Sequence, residues 1–103
     1  MKNFIDFERV SELSKKDKSN PFVNKVVKLS EETGEVAQVS LKYINSSNVS
    51  KSVTDEDPKE LVLEELCDVI NTALDLINSL GVSDEEVKVM FDKKLDKWES
   101  KLK

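Results

Sequence analysis

Two short acidic segments carry the residue types best suited to chemistry in this chain: Glu31-Glu32-Thr33-Gly34-Glu35 and Glu64-Glu65-Leu66-Cys67-Asp68. Each holds carboxylates three residues apart, and on a helix such residues share a face about one turn from each other. Solvated surface acids are the plain explanation for any one such pair in a chain with 21 acidic residues. Position on the helical wheel singles out four of them. At roughly 100° per residue, Glu32 falls beside Leu29 and Val36, and Glu35 near Val39. Glu31 instead shares its face with Lys28, Gln38 and Lys42. Glu65 is bracketed by Leu61, Val62, Val69 and Leu76, with Asp68 and Thr72 close by. Glu32, Glu35, Glu65 and Asp68 therefore sit at the edge of apolar stripes, one pair on each of two helices.

Like charges placed close together and partly desolvated repel strongly enough to shift a pKa by units. A bound cation resolves that conflict. With oxygen ligands alone the ion should be hard: Mg²⁺ first, then Mn²⁺, with Ca²⁺ a further option and zinc poor. A ferritin-like di-iron site is disfavoured, because its Glu-x-x-His partners cannot exist in a chain without histidine. Lys94 falls between Val87, Met90, Phe91 and Trp98, inside an apolar stripe, with Lys97 and Lys101 on its flank. The ordinary reading is a lysine snorkelling from the edge of a core; the functional one is a cation aimed at an anionic ligand. Acids holding a divalent ion, with lysines opposite, suit a polyphosphate.

Composition closes other routes. The 103 residues include no histidine, two glycines and one cysteine. Nucleophile–imidazole arrangements and His-rich zinc sites are excluded, and neither glycine belongs to a phosphate-cradling GxGxxG or GxxxxGK[ST] loop. A single cysteine forms no internal disulfide, which fits a reducing compartment. With 16 basic against 21 acidic residues and a net charge of −5, a general nucleic-acid binder is not expected. No apolar run approaches the roughly 18–20 residues of a membrane span, and MKNFIDFERV lacks a signal-peptide apolar core. The expectation is a cytoplasmic protein, bound neither to nucleic acid nor to membrane.

Four helices must position these groups, in one domain over 1–103. The first is expected from about Asn3 to Lys18, with Phe4, Phe7, Val10 and Leu13 on its stripe. Asn20-Pro21, a cap followed by proline at the first helical position, opens a second that runs to about Asn45. The polar, serine-rich stretch SSNVSKSVTDED, about residues 46–57, reads as a loop. Asp57-Pro58 starts the third helix and Gly81 ends it. Ser83-Asp84-Glu85-Glu86 forms a capping box for the fourth, which carries Val87, Phe91, Leu95, Trp98 and Leu102. No segment alternates with period two. The fold class is all-α, a four-helix bundle. The wide apolar face of the third helix and the small core of such a short chain call for self-association.

KLSEETGEVA (Lys28 to Ala37), followed by EELCDVI (Glu64 to Ile70), resembles the ExxE…ExxD signature of the MazG-like all-α nucleoside triphosphate pyrophosphohydrolases, a superfamily that includes dimeric dUTPases and dCTP pyrophosphatases. Glu32 and Glu35 take the ExxE positions, and Glu65 and Asp68 the ExxD positions. The helical frame agrees across nearly the whole chain, including the turn LGVSDEE. KLDKW is similar to the family's trailing lysine segment, with Lys94 at the lysine and Lys97 standing in for an arginine. The stretch between Glu35 and Glu65 lies at the long end of the family interval, and Asp92 stands where relatives often have asparagine.

The resemblance implies a MazG-like bundle completed by oligomerisation, as a homodimer or homotetramer. It implies Mg²⁺-dependent hydrolysis of an NTP or dNTP to the monophosphate and pyrophosphate, with the four acids on the metal and a water, activated by metal and carboxylate, attacking the α-phosphorus. Either Glu32 or Glu35 orients that water. Lys94 and Lys97 would meet the phosphates. Asn71, Asp75 and Trp98 are available for nucleotide contact. Phe4, Phe7, Phe22 and Trp98 could stack on a base, although core packing is the simpler role for each; Cys67 reads as a small buried filler. The competing reading is a non-catalytic helical module that binds nucleotide or a protein partner.

Overall fold

The computed structural model describes residues 5–46 and 57–102. Four helices account for nearly all of them: α1 (Phe7–Lys16), α2 (Phe22–Ser46), α3 (Pro58–Ser79) and α4 (Asp84–Lys101). No strand occurs among the described residues. Expected Phe4, and most of the serine-rich loop, lie outside them.

The helix starts follow from local chemistry. Asp6 accepts a hydrogen bond from the Arg9 backbone N–H at 3.0 Å and caps α1, which is shorter than the span from Asn3 to Lys18. Asp57 does the same for the Lys59 N–H at 3.0 Å, with Pro58, which has no N–H to lose, opening α3. Ser83 and Glu86 make the reciprocal capping box of α4. Gly81 has φ of 71°, a left-handed conformation that halts α3 and that side chains with a Cβ adopt only at a cost.

α2 and α3 form the main helix pair and run antiparallel, since Lys25 meets Asp75 while Glu32 meets Glu65 and Asp68. α1 packs on the C-terminal half of α3, where Ser14 donates to Asp75 and Ser11 to Asn78. The described residues form the expected all-α bundle of four helices: α1 and α2 pack on α3, whereas α4 keeps its backbone clear of the other three and meets α1 and α3 across a cavity bordered by Phe7, Leu74, Ile77, Val87 and Phe91. With α2 and α1 seated on α3, the α4 stripe stays open to solvent, and Phe91, Leu95 and Trp98 are each more than half exposed.

The interior is thin and partly polar. Leu74, at 8% exposure, is the one large apolar side chain buried among the described residues, while Ser14, Lys25 and Glu32 are buried with it. Lys25, Leu29, Glu32, Val36 and Val39 recur at the spacing of a single helical stripe, and none of the five is exposed. Thus the inner face of α2 carries a cation and an anion in line with its apolar residues.

Candidate functional site

Glu32 projects from the middle of α2 and is only 5% exposed. Across the helix pair, Glu65 and Asp68 stand one turn apart on α3, half-buried and exposed respectively. One carboxylate oxygen from each of Glu32, Glu65 and Asp68 lies within 4.8 Å of the others. The antiparallel register brings the two motifs to the same level, joining acids more than 30 residues apart in sequence. Glu35, one turn beyond Glu32 and exposed, is outside this trio but reaches Glu65.

Electrostatics marks the cluster as frustrated. Oε2 of Glu32 and Oε2 of Glu65 are buried without a hydrogen-bond partner. Such atoms ordinarily find one, because desolvating a lone pair costs free energy that nothing returns. A hydrogen bond with the Glu35 carboxyl, partial burial, and the charges of Glu35, Asp68 and Glu32 push Glu65 from its ordinary 4.5 up to about 7. Among the described residues the cation paired with the trio is Lys28, whose Nζ lies 3.0 Å from Glu32 Oε1 across one helical turn. That hydrogen bond and the Glu32 charge raise the Lys28 pKa. The residues fit a hard divalent ion: all donors are oxygens, from two rigid helices, with two lone-pair sites unsatisfied.

A cavity of about 860 Å³ opens between α1, α2 and α3; none of the four acids lines it, but Lys28, the partner of Glu32, does. Val10, Leu13 and Ile70 give it an apolar floor, and Asn20, Asn24 and Asn71 place amide groups on its wall. Expected Asn71 therefore faces a space of ligand size. Asp75 borders the same cavity but is committed elsewhere: it accepts from Lys25 Nζ at 3.0 Å and from Ser14 Oγ at 2.5 Å. Lys25, at 4% exposure, also donates to Ser79 Oγ at 3.1 Å. This buried knot pins α1 and α2 to α3.

The lysines expected at the phosphates are not brought to the acids within one chain. Lys94 and Lys97 are exposed on α4, and Trp98 is 64% exposed there. Phe7 and Phe22 are exposed too. Cys67 is exposed and lines the cavity, so its reading as a buried filler is corrected: α1 leaves a gap over this part of α3. Sequence reasoning passed over Lys25 and Lys28. Lys25 was detectable, since it occupies a stripe position four residues before Leu29; Lys28, on the solvent-side wheel position, gave no such signal. The chain matches no family model, no curated protein and no solved structure.

Proposed function

We propose that this chain is the subunit of a Mg²⁺-dependent nucleoside triphosphate pyrophosphohydrolase, which cleaves an NTP or dNTP to the monophosphate and pyrophosphate. The observation that carries the reading is the convergence of Glu32, Glu65 and Asp68 from two helices, with buried oxygens left without partners. The resemblance of KLSEETGEVA and EELCDVI to the MazG-like motifs supports it. Glu32, Glu65 and Asp68 hold the ion, with Mn²⁺ as the substitute. When bound, such an ion supplies charge neutralisation at phosphate oxygens and a water of lowered pKa. Glu35 stands beside the trio without belonging to it, and is the carboxylate left to orient that water and accept its proton. The cavity, with its apolar floor and amide wall, takes the nucleoside, and Asn71 is the expected residue that faces it.

Self-association completes the assembly, as a homodimer or homotetramer. Phe91, Leu95 and Trp98 of α4 are each more than half exposed, an apolar row of the kind that marks a protein contact. The exposed stripe of α4 is the proposed contact, through which Lys94 and Lys97 would meet the phosphates of a neighbouring copy. No helix among the described residues is long and apolar enough to cross a membrane, and the lone cysteine suits a cytoplasmic setting.

Pyrophosphate release from a panel of NTPs and dNTPs tests the reading. Activity should require Mg²⁺ and fall by about 10²-fold or more in Glu35→Gln, the loss typical of a removed general base. Turnover that survives both chelation and Glu35→Gln refutes it. A non-catalytic module would hydrolyse none of the panel and, without the site, show no metal-linked thermal stabilisation.

A further inference from the structure

Lys28 pairs with one acid of the trio and also borders the cavity, which the acids themselves do not line. Its ammonium pairs with Glu32 at 3.0 Å, yet the two ends of the pair differ sharply: the lysine side chain is 60% exposed and the glutamate side chain 6%. The cation thus reaches a buried carboxylate from the open side. Lys28 also lines the cavity, whose charged lining balances Arg9, Lys25 and Lys28 against Asp6, Asp17 and Asp75. Lys25 is spent on Asp75 and Ser79. Lys28 is therefore the cavity cation whose partner belongs to the trio.

We infer that Lys28 is a displaceable counter-ion, which neutralises Glu32 while the trio holds no metal and, once released, binds phosphate oxygens of a polyphosphate ligand in the cavity. The inference rests on the metal reading above and deepens it by linking ion and anion. Two cations drawn to the same carboxylate repel, so each weakens the other's hold. A lysine on a flexible four-carbon stem can leave without moving the helix. Rotated off Glu32, its ammonium faces the cavity it already borders, where anionic oxygens offer the charge-assisted hydrogen bonds it has lost. Metal and polyphosphate binding then become positively coupled, and the coupling is reciprocal.

The test measures binding and requires no turnover. Mn²⁺ alone, and then Mn²⁺–pyrophosphate, are titrated calorimetrically into the wild-type chain, Lys28→Met, Lys28→Arg and Lys88→Met. Lys88→Met is the control, because Lys88 and Asp92 form an i,i+4 pair of the same kind, at 2.8 Å, on solvent-exposed α4. Lys28→Met should bind Mn²⁺ about threefold more tightly, the strength of one exposed ion pair, and Mn²⁺–pyrophosphate about tenfold more weakly, through loss of a charged hydrogen bond. Lys28→Arg should stay near wild type for both, and Lys88→Met should match it. If Lys28→Met leaves Mn²⁺ affinity unchanged or lower, or leaves pyrophosphate affinity intact, the counter-ion role is wrong while the metal site stands. If the wild-type chain binds no Mn²⁺, both readings fall.

Discussion

Replacing Glu65 by glutamine should push metal-free stability and metal binding in opposite directions. Glu65 lies among Glu35, Asp68 and Glu32, and its carboxyl is raised from 4.5 to about 7. A folded pKa above the unfolded one means that the favourable contribution of the protonated group is fully present below pH ~4.5 and lost as pH climbs through ~7. Without metal, the wild-type chain should therefore lose stability relative to Glu65→Gln across this window, with Glu65→Gln the more stable of the two at pH 8. Metal reverses the sign, because the ion binds the ionised carboxylate and must displace the proton. With one group at pKa 7, apparent affinity should rise about tenfold between pH 6 and pH 8 and flatten above. About 0.9 proton should be released per ion at pH 6 and about 0.1 at pH 8. Isothermal titration with Mn²⁺, in two buffers of different ionisation enthalpy, reads affinity and proton release together. Thermal melts of both chains with and without Mn²⁺ supply the stability arm. A pH-independent Mn²⁺ affinity, or a Glu65→Gln chain less stable than wild type at pH 8 without metal, would refute the claim that the trio is an electrostatically frustrated cation site.

Three further outcomes follow from the fold. Lys25→Met leaves Asp75 and Ser79 without their buried cation, and should cost about 3 kcal/mol in denaturant unfolding, the loss expected when one partner of a buried ion pair is removed. A Lys25→Met chain within 0.5 kcal/mol of wild type, a loss of roughly the size of a surface substitution, would show that the knot does not hold α1 and α2 to α3. Gly81→Ala places a Cβ at φ of 71° with no atom within 4 Å, so the cost is backbone strain alone, about 1 kcal/mol; equal melting temperatures would contradict it. Leu95→Asp on the open face of α4 should shift light-scattering mass from oligomer to monomer while helical circular dichroism persists, and an unchanged mass would remove α4 from the contact.

Reading along the chain reached the helices because their starts and stops are encoded locally. Asp57-Pro58 and Ser83…Glu86 cap α3 and α4, and Gly81 sits just past the end of α3. These devices act through atoms within a few residues of one another and need no tertiary partner. The wheel positions of Glu32 and Glu65 were legible for a related reason: a charged residue inside an apolar stripe is an anomaly visible in spacing alone. Both proved unexposed. Lys94 has the same signature on α4 yet is exposed, because a stripe records which face seeks burial without stating whether this chain supplies the surface that buries it.

By itself, then, the amino-acid sequence determined the all-α class, the helix boundaries at their capped ends and the two carboxylate motifs. Tertiary structure decided which acids meet. The antiparallel register of α2 on α3 sets Glu32 level with Glu65 and Asp68, leaves Glu35 beside them, and places Lys25 on Asp75. It also decided that Lys28 closes on Glu32 while bordering a cavity, and that most of the α4 stripe is left exposed. The physical reason is range: capping and periodicity are short-range properties of one helix, whereas the distance between charges on different helices is set by how apolar faces pack, which no single segment contains.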